Sequence, residues 1–169
     1  CRDIAQKFNN DFEVENFLQA PEPLIQKEFS RIMSLKDGSK KMSKSELSDF
    51  SRINLTDDKD QMINKIKKAK TDPLPMPQDL KELDDRLEAK NLLGIYSSLN
   101  NSSLEISVKN FAGKNFSEFK EKLAEELINK IEPISNEIKK LLGDKKYLDT
   151  ILLDGVEKAN LIASKKIER

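Results

Sequence analysis

Two lysines and two serines stand close together in a short polar stretch, Lys41-Met42-Ser43-Lys44-Ser45. Asp37-Gly38 precedes them, a pair typical of tight turns, so we predict that the stretch is a loop. Two ammonium groups three residues apart on a loop can close over a triphosphate, and serine hydroxyls and loop amides add hydrogen-bond donors. None of these groups can act as a base. Such a site would stabilise charge on a transferring or leaving phosphate group by position and electrostatics.

An ordinary solvated loop is the alternative interpretation of this stretch, because the whole chain is rich in lysine. In a chain of this composition, a chance match to the same five residues is expected on the order of once in a thousand cases. The order of the five residues therefore favours a phosphate-handling loop over a solvated one.

Composition narrows the chemistry further. The 169 residues carry 30 basic and 30 acidic side chains, so no global charge indicates a polyanionic partner. There is no histidine, which removes histidine bases and nearly every catalytic zinc site, so we expect no metal ligands in this chain. The single cysteine excludes an intrachain disulfide and fits a reducing compartment. No apolar run approaches the roughly 18 residues of a membrane span, so we expect a cytoplasmic protein without a membrane partner.

The first residue is Cys1, and Ile4, Ala5 and Phe8 follow it at helical spacing. A fragment of a longer protein could begin in this way, and so could a bacterial lipoprotein whose first cysteine is lipidated. A lipoprotein would have a flexible, glycine- and serine-rich tether after its cysteine, which this patterned segment is not. We therefore favour truncation, and a lipidated, all-helical surface binding protein stays an alternative.

Apolar spacing predicts a mainly α protein. Residues 11–30 show no sustained period and are predicted to be loop with at most one turn of helix, and residues 31–35 are predicted to form a brief strand before the lysine-rich loop. A helix is predicted to start at Thr56 as its N-cap, with Met62 and Ile66 on its buried stripe and Lys65 on a basic, exposed face. That face is typical of a solvated surface or of a phosphate contact, and the pattern does not separate the two.

A proline-rich connector at residues 72–77 is the best internal boundary, which predicts two domains, 1–71 and 72–169. Pro133 is predicted to bend or interrupt a long helix that Gly143 caps, and residues 147–169 to supply one or two more helices. The second region is therefore predicted to be an α-helical bundle. Its helices are predicted on Leu80, Leu83 and Leu87, then on Leu92, Leu93, Tyr96 and Leu99, and then on Phe116, Phe119, Leu123, Leu127 and Ile131.

The pentapeptide at residues 41–45 resembles the second signature of class I aminoacyl-tRNA synthetases, a family in which this loop binds ATP. The segments around it resemble the bacterial tryptophanyl branch of that family, and the similarity runs in register over essentially the whole chain. These segments are Arg31-Ile32-Met33-Ser34-Leu35, Arg52-Ile53-Asn54-Leu55-Thr56-Asp57-Asp58, Lys70-Thr71-Asp72, Asn91-Leu92-Leu93-Gly94-Ile95-Tyr96 and Gly155-Val156-Glu157-Lys158-Ala159.

This resemblance implies that residues 1–71 are the C-terminal remnant of a Rossmann-like α/β catalytic domain, and residues 72–169 a helical anticodon-binding domain. It implies ATP-dependent activation of tryptophan and its transfer to tRNA(Trp), with Mg2+ accompanying ATP, by an enzyme that works as a homodimer when full length. The backbone around Ile32 would hold the adenine side of ATP. The phosphates would be embraced by Lys41, Met42, Ser43, Lys44 and Ser45, with Lys41 and Lys44 as the catalytic charges.

The chain departs from the family pattern in two places. Glu46-Leu47 stands where the family commonly continues with Asp-Pro. The upstream His-Ile-Gly-His motif cannot be present in a chain without histidine, and the tryptophan pocket also lies upstream in the family. We therefore expect that this chain alone does not activate tryptophan. A tRNA-binding or regulatory paralogue without catalysis is the remaining alternative.

Overall fold

The computed structural model describes residues 1–24 and 30–167, and their side chains up to residue 165. Within this part the chain is helical and has no β-strand, so the prediction of a mainly α protein is confirmed. Two compact units, Cys1–Ser30 and Arg31–Arg169, are considered one at a time below. The helices are α1 (Arg2–Asp11), α2 (Lys59–Lys67), α3 (Leu87–Leu99), α4 (Leu104–Phe111), α5 (Phe116–Gly143) and α6 (Lys145–Ile167), and Asp49–Ser51 and Lys81–Leu83 form short 3₁₀ turns.

The first unit is built on α1, which agrees with the helical spacing of Ile4, Ala5 and Phe8 in the sequence. The rings of Phe8 and Phe12 lie 4.6 Å apart, and the ring of Phe17 stacks 5.8 Å from that of Phe8. The side-chain amide of Asn9 also bonds both the N–H and the carbonyl of Leu18, each at 2.9 Å. These contacts fold the segment after α1 back onto the helix. The described part of the predicted loop is irregular, and residues 25–29 lie outside the described part.

The predicted strand at residues 31–35 is wrong. Met33 forms only an isolated antiparallel bridge with Lys41. The turn that begins at Asp37 leaves room for little more pairing, because the N–H of Lys40 already bonds the carbonyl of Asp37 at 3.1 Å. Leu35 is nevertheless deeply buried, at 1% exposure, and its backbone bonds Ser51 and Lys70. The segment is therefore part of the core without being part of a sheet.

Helix α2 begins two residues later than predicted. Its N-cap is Asp58, which with Gln61 forms a capping box, so Thr56 lies outside the helix. Met62 and Ile66 are fully buried as predicted. Lys65 is also buried, at 3% exposure, so its predicted place on an exposed basic face is wrong. Its ammonium group binds two carboxylates instead of solvent.

The proline-rich connector packs against the helices that follow it. Met76 is 1% exposed, and its backbone exchanges hydrogen bonds with Gly113 and Lys114 in the α4–α5 turn. Arg86 grips Asp72 with two hydrogen bonds of 3.0 and 2.7 Å. The predicted division at residues 71 and 72 falls inside the second compact unit, and it stays a prediction.

The helix predicted on Leu80, Leu83 and Leu87 is wrong. The side chain of Asp79 accepts hydrogen bonds from two backbone N–H groups that follow it, which closes the 3₁₀ turn Lys81–Leu83. Helix α3 begins only at Leu87. Leu83 is still buried, at 1% exposure, so its apolar position indicates core even though the helix is absent.

Helices α3, α4 and α5 pack around an aromatic cluster. The rings of Tyr96 and Phe111 lie 4.9 Å apart, and those of Phe111 and Phe119 lie 4.8 Å apart in an edge-to-face arrangement. The hydroxyls of Ser97 and Ser107 lie 2.7 Å apart at the α3–α4 contact, where small side chains permit close approach. These contacts make α3 a well-supported helix.

Helix α5 runs through Pro133 as one helix, so an interruption there is wrong, and the alternative, a bend at Pro133, stays a prediction. Gly143 is its last residue, and Asp144 rather than Gly143 takes the C-cap position. Helix α6 leaves several apolar side chains exposed, including Leu161 at 67% and Ile162 at 72%. Among the described helices, α6 included, none is both long and apolar enough to cross a membrane.

Candidate functional site

The lysine-rich loop directly follows a tight, hairpin-like turn. Ser34 donates its N–H to the carbonyl of Lys40 at 2.8 Å, and Met42 donates its N–H to the carbonyl of Ile32 at 3.0 Å. Asp37 closes the turn by accepting bonds from the N–H and the hydroxyl of Ser39, at 3.0 and 2.6 Å. Those bonds hold the pKa of the Asp37 carboxyl below its usual value. The turn therefore delivers the chain to Lys41 in a defined direction.

The two lysines of the pentapeptide reach into solvent. Lys41 and Lys44 are exposed, and no carboxylate of the described residues lies within 4.0 Å of either ammonium group. Met42 lies half-buried against the hydrophobic core, which anchors the loop between them. Two positive charges thus project from an anchored backbone without a neighbouring carboxylate to neutralise them, an arrangement suited to binding a polyanion.

The rest of the predicted site lies around this loop. The hydroxyls of Ser43 and Ser45 are 2.9 Å apart, and the N–H of Ser45 donates to Ser43 Oγ at 3.3 Å. Ile32 is 41% exposed, and its carbonyl accepts the N–H of Met42. The structure therefore brings Ile32 to the base of the loop, beside the residues predicted to meet the phosphates.

Arg52 holds the outgoing end of the loop. Its Nη1 donates to the carbonyl of Glu46 at 2.8 Å, and its Nη2 lies 3.0 Å from Asp49 Oδ1. The arginine side chain is only 17% exposed, so its planar fork is held in one place. Sequence reasoning assigned no role to Arg52. A basic residue a few positions after the pentapeptide gave no indication that it would turn back to bind the loop.

A buried lysine lies behind Arg52. Lys65 donates from Nζ to Asp57 Oδ2 at 2.6 Å and lies 2.6 Å from Asp49 Oδ2. Asn54 donates to both carboxylates, at 2.9 Å to Asp49 and 3.2 Å to Asp57. Hydrogen bonds from Lys65 and Asn54 hold the pKa of Asp49 below its usual value. This charged cluster joins α2 to the segment that leaves the loop.

Helices α2 and α5 enclose a separate groove of about 710 Å³. Its floor is apolar and includes Ile63 and Ile128, and its rim carries both Lys67 and Glu121. Lys120 spans the helices here by donating to the carbonyls of Lys67 and Ala69, at 3.1 and 2.7 Å, and burial lowers its pKa. The mixed charges at the rim indicate no ligand of one sign.

Comparison with known families decides where this loop belongs. The family model described as tRNA synthetases class I (W and Y) matches residues 1–132 of the 169. The chain belongs to this family. The matched range contains the hairpin, the pentapeptide and the charged cluster of Arg52 and Lys65, so the synthetase chain has its candidate site inside the part that defines the family.

Curated relatives of this synthetase chain are named tryptophan–tRNA ligase. One from Rickettsia felis is 51% identical over 98% of the chain and 49% of the relative, and one from Caulobacter vibrioides is 49% identical over 96% and 47%. A solved structure of tryptophanyl-tRNA synthetase from Mycoplasma pneumoniae superimposes with a TM-score of 0.74 at 26% identity, over 97% of the chain and 48% of that structure. The synthetase chain spans about half the length of the relatives that it matches.

Proposed function

We propose that this chain supplies the phosphate-binding loop and the tRNA-binding helices of a tryptophan–tRNA ligase. The observation that carries the proposal is the pair of exposed lysines, Lys41 and Lys44, on an anchored loop. Membership of the class I family and relatives named tryptophan–tRNA ligase, at 49–51% identity, support it. Tryptophan, ATP and tRNA(Trp) are the proposed substrates.

The first step would join tryptophan to AMP. A carboxylate oxygen of tryptophan attacks the α-phosphorus of ATP, and the bond from that phosphorus to the bridging oxygen breaks, which releases pyrophosphate. The attacking carboxylate needs no base, so a loop of lysines and serines suits the step. Lys41 and Lys44 would stabilise the charge that grows on the leaving pyrophosphate, which is where electrostatic catalysis acts most strongly.

Magnesium would accompany ATP. Among the described residues no group of three histidine, cysteine or acidic side chains could hold a metal ion, and the loop itself carries ammonium and hydroxyl groups. These groups do not fit a protein-bound divalent ion, which prefers several oxygen ligands. The proposed role of this chain is therefore to bind phosphate oxygens, and no step is assigned to a metal ligand of its own.

In the second step a terminal ribose hydroxyl of tRNA would attack the carbonyl carbon of the adenylate, and AMP would leave. Residues 72–169 are the proposed anticodon-binding domain, and residues 1–71 the proposed end of a Rossmann-like catalytic domain. A homodimer is also proposed, because the family resemblance implies it, and we propose that the protein works in the cytoplasm. The chain has no histidine and no identified amino-acid pocket, so we propose that it does not activate tryptophan alone.

Amino-acid-dependent ATP–pyrophosphate exchange tests the proposal in the natural, full-length protein that carries this chain. We expect exchange with tryptophan and at most weak exchange with tyrosine, followed by charging of tRNA(Trp). The isolated 169-residue chain should show no exchange with either amino acid. Exchange that requires tyrosine would overturn the choice of substrate. Binding of tRNA(Trp) by the full-length protein without any exchange would instead identify the non-catalytic paralogue.

A further inference from the structure

Asn91, a buried residue of α3, binds the backbone that leads into the lysine loop. We propose that Asn91 is a positioning residue that sets the place of Lys41 over the ATP phosphates. The proposal rests on the proposed function, because it assumes that Lys41 meets ATP. It adds a residue of the helical region, far from the pentapeptide in sequence, to the machinery of the activation step.

Both the oxygen and the nitrogen of the Asn91 side-chain amide bond the backbone of this segment. Its Oδ1 accepts the N–H of Met33 at 2.9 Å, and its Nδ2 donates to the carbonyls of Met33 at 2.8 Å and Ser34 at 3.4 Å. Asn91 is 8% exposed, so these bonds are shielded from water. A side chain that bonds both backbone groups of one residue fixes its height and its rotation, as a neighbouring strand would.

Met33 in turn lies directly opposite Lys41 in the antiparallel bridge. The hydrogen bonds on either side of this bridge, from Ser34 to Lys40 and from Met42 to Ile32, are 2.8 and 3.0 Å long. A single residue, Met33, therefore connects the side-chain amide of Asn91 to the backbone of Lys41. Among the described residues, the hydrogen-bond partner of both the N–H and the carbonyl of Met33 is the side chain of Asn91.

Helix α3 contacts the hairpin at a second place besides Asn91, and this contact helps to fix the orientation of the hairpin. The backbone of Gly38, at the tip of the turn, lies against the start of α3 so closely that a Cβ there would be 2.7 Å from the carbonyl carbon of Leu87. Glu88, one turn before Asn91 on the same helix, binds Lys70 at 2.7 Å, and the N–H of Lys70 donates to the carbonyl of Leu35 in the incoming arm at 2.7 Å. The helix thus touches the tip of the hairpin and its incoming arm. Two contacts on one rigid helix fix the orientation of the hairpin as well as its position.

The reaction should be sensitive to a small displacement of this hairpin. A misplacement of about 1 Å at a catalytic group can cost on the order of a hundredfold in rate. Removal of the Asn91 amide would leave the N–H and carbonyl of Met33 without their partners, and the segment would move to find water or other bonds. Lys41, one pair away, would then meet the phosphates less often in the right place.

A double-mutant cycle of Asn91→Ala and Lys41→Met in the full-length protein tests this inference. The measured quantity is kcat/KM for ATP in tryptophan-dependent exchange, with enzyme concentration set by active-site titration. Alone, Asn91→Ala should lower kcat/KM for ATP about 10–100-fold and leave KM for tryptophan within about twofold. Where Lys41 is already methionine, it should lower kcat/KM less than about threefold, because the group that it positions is gone.

Asn100→Ala is the matched control. Asn100 stands at the end of the same helix and is exposed, and its side-chain amide donates to the carbonyl of Tyr96 at 3.0 Å. Its variant should keep kcat/KM for ATP within about twofold of the wild type. If Asn91→Ala does not fold, Asn91→Asp takes its place in the cycle, since it has the same size and keeps the acceptor for the Met33 N–H.

The outcomes separate the inference from the proposed function. Fully additive losses in the cycle, unaltered kinetics in the Asn91 variants, or failure of both variants to fold would each overturn a positioning role. If instead Lys41→Met alone leaves kcat/KM for ATP unchanged, the proposed role of the loop fails. If Lys41→Met lowers kcat/KM for ATP but the loss from the Asn91 variants adds to it fully, only the inference about Asn91 is overturned.

Discussion

The ammonium group of Lys65 lies 2.6 Å from Oδ2 of Asp57, in a pair whose side chains are only 4% and 5% exposed. A second carboxylate, that of Asp49, lies 2.6 Å from the same nitrogen and is half-exposed. Lys65 belongs to α2, and Asp49 and Asp57 belong to the segment between the lysine loop and that helix. The ion pairs of Lys65 with Asp57 and Asp49 therefore fix the outgoing end of the loop to α2.

Replacing Lys65 by methionine should destabilise the chain by about 3–5 kcal/mol, because Asp57 would remain buried without its cation. Urea unfolding of the 169-residue chain measures this. Lys59→Met, at the exposed first position of the same helix, should change the free energy of unfolding by less than about 0.5 kcal/mol. Equal effects of the two variants would mean that the buried pair contributes no more than a surface lysine.

One glycine-to-alanine change should destabilise the chain, and another should stabilise it. A Cβ at Gly38 would lie 2.7 Å from a backbone carbon of Leu87 and 2.8 Å from the nitrogen of Glu88, so Gly38→Ala should cost about 1–3 kcal/mol. Gly155 lies inside α6, and among the described residues no atom beyond its chain neighbours and the adjacent backbone of its own helix lies within 4 Å of its Cβ position, so Gly155→Ala should stabilise by about 0.5–1 kcal/mol. Thermal unfolding of both variants checks the signs, and a neutral Gly38→Ala would refute the close approach of the turn to α3.

Lys120 and Lys122 lie two residues apart on α5 and should respond differently to replacement by methionine. Lys120 donates to two backbone carbonyls at the end of α2, and its loss should cost about 1–2 kcal/mol because those carbonyls lose their donor. Lys122 pairs with Glu125 at 2.8 Å between largely exposed side chains, so its loss should cost less than about 0.5 kcal/mol. Chemical unfolding measures the loss of stability in each variant. A larger loss for Lys122→Met than for Lys120→Met would contradict a stabilising role for the bonds from Lys120 to the two carbonyls.

The contribution of Glu88 to stability should disappear in acid. The hydrogen bond from Lys70 lowers the pKa of Glu88 in the folded chain below its usual 4.5, so the unfolded chain binds its proton first as the pH falls. The stabilisation is thus complete above the unfolded pKa and is lost as the pH falls through the folded pKa. The free energies of unfolding of wild type and Glu88→Gln should differ near neutral pH, and the difference should vanish once the pH has fallen below the folded pKa of Glu88. The same substitution at Glu157, exposed on α6, should change the free energy of unfolding by less than about 0.5 kcal/mol near neutral pH.

The features that the sequence predicted correctly depend on local signals. The spacing of Met62 and Ile66 predicted the buried stripe of α2, and Asp37-Gly38 predicted the turn before the loop. The error at Lys65 came from its residue type, because its position lies on the same helical face as Met62, Ile66 and Ala69 and indicated burial. The capping box of Asp58 and Gln61 was also a readable signal for the start of α2.

The features that the sequence did not predict depend on contacts between distant residues. Asn91 and Met33 are 58 residues apart, and an asparagine in a helical pattern does not indicate a backbone partner in another element. The strand predicted at residues 31–35 failed for a related reason, since strand formation requires a pairing partner that the short hairpin supplies only once. Which carbonyl Arg52 would bind was likewise undetermined before the loop was placed.

Tryptophan-dependent ATP–pyrophosphate exchange by the full-length protein with Lys44→Met tests the central claim, that this loop handles the phosphates of ATP. Lys36→Met, on the same hairpin but outside the pentapeptide, is the control. The account predicts that Lys44→Met lowers kcat about 100–1,000-fold with little change in KM for tryptophan, while Lys36→Met stays within about threefold of the wild type. Wild-type kcat and kcat/KM for ATP in the Lys44→Met protein would contradict it.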